Sequence, residues 1–193
     1  MNPWETLREE CLQCTNCSLH TTRKQVVFGM GNPKAEVLFV GEGPGANEDE
    51  QGLPFVGRSG KLLDVYLESI QLSREKNIFI ANIVKCRPPQ NRDPLPEERE
   101  ACLPWLRAQF KQMKPKIVVC LGRVAAQVMI RPDFAITKEH GQWTQKNNIW
   151  FMATLHPAAL LRNPNNKPMA FEDYATLRDK IEEVCEHTYT NPL

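Results

Sequence analysis

The segment EVLFVGEGPG, residues 36–45, contains the clearest sign of regular structure in the chain. Its first half is a short apolar run rich in β-forming residues, and its second half is a turn of glycine, proline and one acid. Between Leu62 and Ile70, apolar residues recur at the three-and-four spacing of one helix face, and Ser59 stands where it could cap that helix. We therefore predict a strand, a turn and a helix in succession.

The same alternation recurs through the rest of the chain. Further apolar runs with β-forming residues lie at 77–84, 116–121 and 148–155. Helical spacing follows each of these runs, at about 96–114, 123–129 and 174–184, and a helix over 4–13 precedes them all. Alternating strands and helices are typical of a parallel sheet covered on both faces. We predict an α/β fold with three layers, α/β/α, around a central four-stranded parallel sheet, as a single domain over residues 1–193.

Composition excludes several classes of protein. A length of 193 residues is typical of one domain, and 41% hydrophobic residues suffice for a core. The net charge of +1 excludes a polycation and an acidic tail, so nucleic-acid binding would need a local basic patch. The longest apolar runs, 117–121 and 149–153, are far shorter than the roughly 20 residues of a membrane span. Glu5, Glu9 and Glu10 stand where a secretory signal would be basic, so we expect a cytoplasmic protein with no membrane partner.

The seven cysteines point to a metal site or to catalysis, because the cytoplasm keeps thiols reduced. Cys11, Cys14 and Cys17 form two overlapping C-x2-C pairs, and Cys86 and Cys102 follow far downstream. A C-x2-C pair brings two thiolates to one metal, as both zinc and iron-sulfur sites require. The spacing alone leaves these two metals open, with ordinary thiols as a third interpretation. Cys14 and Cys17 border a loop, so they are better ligand candidates than Cys11.

Small and polar residues follow the predicted strands, and ligands of open α/β sheets bind beyond the carboxyl ends of the strands. The turn at 41–45 lacks the Lys-Ser/Thr of a P-loop and the G-x-G-x-x-G of a dinucleotide fold, which argues against a nucleotide site. Phe55 lies in a loop beside Pro54 and Gly57, where its ring could fold onto the core or stack on a base. The acids at 48–50 are more typical of a solvated face than of acid catalysis.

Asn82, His156 and Glu42 stand at the ends of three predicted strands. Asn82 interrupts an apolar run, where a buried amide must bind either the neighbouring backbone or a ligand. His156 precedes Pro157, so we expect its ring in the crevice at the strand ends, as a hydrogen-bond donor or an acid. Together these residues predict one site at this edge of the sheet.

Basic residues cluster in the two loops that follow these positions. They are Lys85, Arg87 and Arg92 in one loop, and Arg162 and Lys167 in the other. Such clusters can be merely solvated, but two of them at one sheet edge would make a rim that binds phosphate.

Three longer segments and a cysteine pair resemble one known family. The segments are GEGPGANEDEQGLPFVGRSGKLLD (41–64), NIVKCRPPQNRDPLPEE (82–98) and HPAALLRNP (156–164), and the pair is CTNC (14–17). In order and spacing they resemble the family 4 uracil-DNA glycosylases, the iron-sulfur enzymes of bacteria and archaea. The resemblance covers about residues 14–164 and implies the fold of the uracil-DNA glycosylase superfamily.

The resemblance also implies an activity and a cofactor, namely removal of uracil from DNA to leave an abasic site, and a 4Fe-4S cluster. The implied cluster ligands are Cys14, Cys17, Cys86 and Cys102. In the implied pocket, uracil contacts the backbone of Gly41 and Gly43, stacks on Phe55 and is read along its N3 and O4 edge by Asn82. His156 would stabilise the negative charge on the leaving base.

Further roles follow from the same resemblance. The polar positions that it ties to catalysis or pocket shape are Glu42, Glu48 and Asn91, and it does not assign which of them orients the attacking water. Leu160 or Leu161 would enter the minor groove of DNA as a wedge. The expected contacts to DNA phosphates are Lys85, Arg87, Arg92 and Arg162.

Two other classes of function stay open on the sequence. One is a non-enzymatic, zinc-bound module that binds nucleic acid, and the other is a redox protein that uses the cysteines. For the glycosylase, the expected partner is uracil-containing DNA and the expected state is a monomer. A sliding-clamp partner is neither indicated nor excluded.

Overall fold

The computed structural model describes residues 2–190, and a six-stranded sheet lies at its centre. In chain order the strands are β1 (Met30–Gly31), β2 (Val37–Gly41), β3 (Ile78–Asn82), β4 (Ile117–Leu121), β5 (Trp143–Lys146) and β6 (Ile149–Thr154). Across the sheet the order is β1-β3-β2-β4-β6-β5. The four inner strands, β3, β2, β4 and β6, are parallel, which confirms the predicted core of the sheet.

Two edge strands were not predicted, so the count of four strands was too low. β1 pairs antiparallel with β3 and is only two residues long, too short to show a period in the sequence. β5 pairs antiparallel with β6 through a turn in which Asn147 and Asn148 both have positive φ, at 49° and 63°. Such a turn suits a two-residue hairpin, but the polar and exposed end of β5 hides the strand from a hydrophobicity pattern.

Eight helices accompany the sheet within the described range. They are α1 (Pro3–Leu12), α2 (Ala46–Gln51), α3 (Arg58–Ser69), α4 (Pro96–Met113), α5 (Arg123–Met129), α6 (Ile136–Glu139), α7 (Pro157–Arg162) and α8 (Lys167–Val184). One face of the sheet packs against α3, α7 and α8, and the other against α1, α4 and α5. The three predicted layers are therefore confirmed. None of these helices is long and apolar enough to cross a membrane.

Strand β2 shows how the layers form. All five of its residues are buried, as expected for a central parallel strand. Leu38 and Val40 point into the cluster under α1 and α4, and Val37 and Phe39 point into the cluster under α3 and α8. In the second cluster the rings of Phe39 and Tyr174 stack with centroids 6.5 Å apart.

Several helix boundaries differ from the prediction. α3 begins at Arg58 with Gly57 as its N-cap, so Ser59 is not the cap. α8 begins at Lys167, well before the predicted 174–184, because Pro168 in its first turn makes this stretch resemble a continuation of the preceding proline-rich loop. α2 and α7 are short helices within segments that the pattern left as loops.

The strand order determines where a ligand can enter. The chain passes from β2 to β3 on one side, and β4 then pairs with β2 on the other side. The order reverses at β2, so a crevice opens between the carboxyl ends of β2 and β4, which is where open α/β sheets bind ligands.

Candidate functional site

A cavity of about 680 Å³ opens at the carboxyl ends of the parallel strands. Its lining includes these predicted site residues: Glu42, Gly43, Glu48, Phe55, Asn82, Asn91, Arg92, His156, Leu161 and Arg162. Arg58, Asp93 and Arg123, which the sequence did not single out, also line it. The structure therefore brings the amide, the imidazole and the phenyl ring to one place, as predicted.

Gly41 separates the Asn82 amide from the Phe55 ring. A Cβ atom at Gly41 would overlap Asn82 Oδ1 and would lie 2.7 Å from Phe55 Cζ, so only glycine leaves this space open. Asn82 is 1% exposed, and its Oδ1 has no hydrogen-bond partner among residues 2–190. A buried acceptor without a partner costs about 1–3 kcal/mol, which a ligand that donates a hydrogen bond would recover.

The Phe55 loop is held by Arg74, a residue that the sequence analysis missed. Arg74 donates to the carbonyl oxygens of Pro54 at 2.6 Å and Phe55 at 2.7 Å, and it pairs with Asp64 at 2.6 Å. Phe55 has a φ of 52°, an unfavourable value for a bulky residue, and these bonds hold it there. Its ring centroid lies 5.6 Å from that of His156. In the sequence, Arg74 looks like any surface charge.

His156 is the N-cap of α7 and is only partly exposed. Its Nδ1 accepts from the Ala158 N–H at 3.1 Å, so the hydrogen of the neutral ring lies on Nε2. Burial, reinforced by the charge of Arg162, lowers the pKa of His156 to about 4. At neutral pH the ring is therefore uncharged and offers one N–H donor from Nε2.

Glu48 joins the glycine-rich turn to the Phe55 loop. Its carboxylate accepts from the backbone N–H groups of Gly45 at 3.1 Å, Val56 at 2.9 Å and Gly57 at 3.2 Å. Asp49 is 2% exposed and accepts from the Lys24 N–H. The interpretation of residues 48–50 as a solvated face was therefore wrong for these two acids, because hydrogen bonds to distant backbone leave no trace in the sequence.

Glu42 and Asn91 have different surroundings at the cavity. Glu42 is partly buried, and burial together with the nearby Asp93 carboxylate raises its pKa to about 7. Asn91 is exposed, and its Oδ1 accepts from Arg87 Nε at 2.8 Å.

The basic rim is smaller than predicted. Lys85 is 1% exposed and donates to Gln109 Oε1 at 2.7 Å and to the Asn82 carbonyl oxygen at 3.2 Å, so the expectation that it contacts phosphate was wrong. Arg92 lines the cavity but also makes two bonds to Glu98, at 2.7 and 2.8 Å. Arg162 is exposed at the cavity mouth.

The two wedge candidates are also distinguished. Leu160 is 1% exposed and belongs to the core under α3 and α8, so the structure argues against it as the wedge. Leu161 is partly exposed and lines the cavity.

A second, smaller cavity is lined by Cys14, Cys17, Cys86 and Cys102. N–H groups point at three of the sulfur atoms. Trp105 Nε1 is 3.2 Å from Cys14 Sγ, the Lys85 backbone N is 3.2 Å from Cys102 Sγ, and Arg23 Nη1 is 3.3 Å from Cys86 Sγ. All seven cysteines are free thiols. Cys11 is fully buried in the core and does not line this cavity.

The four cysteines form a donor set suited to a bound metal group. Burial raises the pKa of Cys102 to about 11, so without a metal this thiol would stay protonated. In the part of the chain that the structure describes, no three His, Cys, Asp or Glu side chains converge on the position of a single ion. Zinc and iron-sulfur clusters are both held by cysteine thiolates, so the shared cavity makes these four residues the candidate ligands of a metal group.

Comparison with known proteins agrees with this geometry. Residues 28–177, which include all six strands of the sheet and the whole lining of the strand-end cavity, match the model of the uracil DNA glycosylase superfamily. The chain belongs to this superfamily. The type-4 uracil-DNA glycosylase of Archaeoglobus fulgidus is 42% identical over 96% of this chain and 94% of its own length.

Two further relatives are also type-4 enzymes. The type-4 uracil-DNA glycosylases of Sulfurisphaera tokodaii and Saccharolobus solfataricus are 43% and 40% identical, over 93% and 94% of this chain and 85% and 88% of their own lengths. The resemblance to the family 4 uracil-DNA glycosylases is thereby confirmed.

Proposed function

We propose that this protein is a uracil-DNA glycosylase, which hydrolyses the N-glycosidic bond of uracil in DNA and leaves an abasic site for base excision repair. Membership of the type-4 family supports this activity. The observation that carries the proposal is the buried, unpartnered Oδ1 of Asn82 beside the Phe55 ring in the strand-end cavity.

Recognition of uracil follows from the chemistry of these two residues. Asn82 Oδ1 can accept from N3–H of uracil while its amide NH2 donates to O4. Cytosine presents the reverse pattern, with an acceptor at N3 and an amino group at C4, so it would leave both polar atoms of Asn82 wrongly matched. Phe55 provides the stacking surface for the ring, and Gly41 and Gly43 allow the backbone to approach the base.

The target base must first leave the duplex, at a cost of a few kcal/mol. Leu161 is the proposed wedge, since it lies on the open side of α7. Arg87, Arg92 and Arg162 are the proposed phosphate contacts, and they would offset part of the cost of base extrusion.

Bond cleavage builds positive charge on the sugar and negative charge on the departing uracil. His156 Nε2–H is the proposed donor to that negative charge, and a neutral ring can donate this bond without losing its proton. Glu42 is the proposed partner of the attacking water, Glu48 positions the loops around it, and Asn91 contributes a polar group at the mouth.

We propose that Cys14, Cys17, Cys86 and Cys102 hold a 4Fe-4S cluster, supported by their shared cavity and the N–H groups directed at three of their sulfur atoms. Hydrolysis needs no electron transfer, so the cluster would supply a cross-link among the segment after α1, the loop after β3 and helix α4. We further propose that the protein acts as a monomer on chromosomal DNA in the cytoplasm.

The test is a labelled oligonucleotide that contains one uracil, incubated with the iron-replete protein and then treated with alkali. An otherwise identical oligonucleotide with thymine at that position is the control. We expect cleavage at uracil and none at thymine. Intact uracil strands over a range of salt concentration and temperature would contradict the proposed activity and favour a module that only binds nucleic acid.

A further inference from the structure

Two charged residues, Asp93 and Arg123, lie beside Glu42 at the end of β2, and the proposed function assigns them no role. β2 and β4 are neighbours, with Val40 opposite Cys120, so Glu42 and Arg123 follow their strands side by side. Asp93 lies in the loop after β3, on the other side of β2, and its Oδ2 is 2.5 Å from Arg123 Nη2. This ion pair therefore spans the end of β2, next to Glu42.

The pair is part of the cavity and contacts Glu42. Glu42, Asp93 and Arg123 all line it, and the carboxyl groups of Glu42 and Asp93 lie within hydrogen-bonding reach of each other. Two carboxylates so close repel each other when both are ionised, so the Asp93 carboxylate favours the protonated form of Glu42. Burial and Asp93 raise the pKa of Glu42, and the charges of Arg123 and Arg99 oppose that rise. The remaining charged or titratable residues of the lining are Glu48, Arg58, Arg92, His156 and Arg162.

We propose that Asp93 and Arg123 are a positioning pair for Glu42, and that they hold its carboxylate against the attacking water as the base of the reaction. This role rests on the proposed glycosylase activity. Glu42 suits the role of the base better than the other two candidates. The Glu48 carboxylate is already hydrogen-bonded to three backbone N–H groups, and the Asn91 amide has no basic form.

The chemical step balances with water as the only co-reactant. The Glu42 carboxylate takes one proton from water as the water oxygen forms a bond to C1′ of the deoxyribose. The bond between C1′ and N1 breaks, and its electron pair leaves with uracil as an anion that the His156 N–H stabilises. The proton on Glu42 then returns to the uracil anion or to solvent, so the sugar has gained a hydroxyl and the base a hydrogen.

The test is the pH dependence of uracil excision under single-turnover conditions with enzyme in excess, which removes effects on DNA binding. In Asp93→Asn, loss of a negative charge lowers the pKa of Glu42, so the acid limb of the rate profile should move to lower pH by about one unit. In Arg123→Gln, loss of a positive charge should move the limb the other way. Asp93→Glu should restore the wild-type limb.

Asp133→Asn is the matched control, because Asp133 also pairs with an arginine, Arg131, but lies 84% exposed and outside the cavity. Its profile should coincide with that of the wild type. A uniform loss of rate in the Asp93 and Arg123 variants, with no displacement of the limb, would show a merely structural pair and overturn the proposal. If the wild type itself leaves uracil in place, the glycosylase activity has failed instead.

A second measurement does not depend on activity. The carboxyl carbon of Glu42 can be followed by ¹³C NMR during a pH titration of the intact protein, with its signal assigned by its loss in Glu42→Gln. We expect the Glu42 midpoint to fall in Asp93→Asn and to rise in Arg123→Gln. An unchanged midpoint in both variants would contradict the coupling of Asp93 and Arg123 to Glu42.

Discussion

Asn82 is the residue whose surroundings point most directly to a ligand. It ends a strand in which the other four side chains are apolar and buried, yet its Oδ1 has no partner within residues 2–190. Its neighbour Lys85 uses the Asn82 backbone carbonyl and leaves the side chain free. The strand therefore holds the amide in place and leaves its Oδ1 available to a ligand, which we propose is the uracil base.

Asn82→Asp should reduce the preference for uracil. An aspartate keeps the shape but replaces the NH2 donor to O4 with a carboxylate oxygen, at a cost of about 1–3 kcal/mol, or roughly 5- to 150-fold in rate on uracil. The measurement is the ratio of single-turnover rates on uracil and cytosine oligonucleotides. Asn148→Asp, an exposed asparagine in the β5–β6 turn, is the control and should keep the wild-type ratio. An unchanged ratio in Asn82→Asp would contradict the role of the amide.

His156→Ala should slow uracil excision while DNA binding stays nearly intact. Removal of one donor to a developing anion typically costs about 10² to 10³ in rate. Single-turnover kinetics give the rate, and fluorescence anisotropy with an uncleaved analogue gives the affinity. His187→Ala, an exposed histidine after α8, is the control. If the His156 variant loses binding as much as rate, the ring contacts DNA and does not stabilise the leaving base.

At the scale of elements, the segment after α8 is held at the amino ends of the strands. Glu36, just before β2, accepts from the backbone N–H groups of Glu186, His187 and Thr188, at 2.9, 2.8 and 3.0 Å. These bonds and Lys116 hold the pKa of Glu36 down at about 2. One carboxylate thus fastens the segment after α8 to the amino ends of the strands, at the opposite end of the sheet from the strand-end cavity.

Glu36→Gln should destabilise the fold at neutral pH by about 2 kcal/mol, or about 4 to 8 °C in Tm. Because the folded pKa of Glu36 is lowered, its contribution is present above the unfolded value of 4.5 and is lost as pH falls from 4.5 towards 2. Thermal unfolding is therefore measured at pH 7 and near pH 2. The Tm of the variant should lie well below that of the wild type at pH 7, and the two Tm values should nearly coincide near pH 2. Glu75→Gln, at an exposed position, is the control. A difference independent of pH would contradict the role of the carboxylate.

At the scale of the whole molecule, two cavities lie on either side of the loop after β3. This loop carries Cys86 towards the cysteine cavity, and Asn91 and Asp93 line the strand-end cavity. Lys85 is buried between them, bonded through its side chain to Gln109 of α4 and through its backbone to Cys102. A metal group on the four thiols would therefore hold the loop that bounds the strand-end cavity.

Anaerobically purified protein should contain about four irons and four labile sulfides per chain and should be brown. Cys17→Ser should lose cluster iron and become less stable, because the three remaining thiols, of which Cys86 and Cys102 are buried, would be left without their fourth partner. Cys185→Ser, outside the cysteine cavity, should keep the wild-type iron content. The measurements are iron and sulfide assays and the absorption spectrum, which together show whether the protein holds a cluster. A colourless protein with stoichiometric zinc would contradict the cluster.

The sequence by itself determined the layer order and the chemistry of the pocket. Apolar runs followed by helical spacing predicted the four parallel strands, because each central strand is buried on both faces and must be apolar along its length. The glycine, asparagine and histidine at the strand ends predicted the site, since the carboxyl ends of parallel strands meet at one edge.

Only the tertiary structure decided which polar residues are free to act. Lys85, Glu48, Asp49, Arg74 and Asp93 look alike in the sequence as charged residues of loops and turns. Long-range hydrogen bonds bury the first three, make Arg74 the support of Phe55 and bring Asp93 from the loop after β3 to Arg123 beside Glu42. These hydrogen bonds join residues that are distant along the chain. A periodic pattern in the sequence relates each residue only to its near neighbours, so it cannot identify partners that meet only after the sheet has formed.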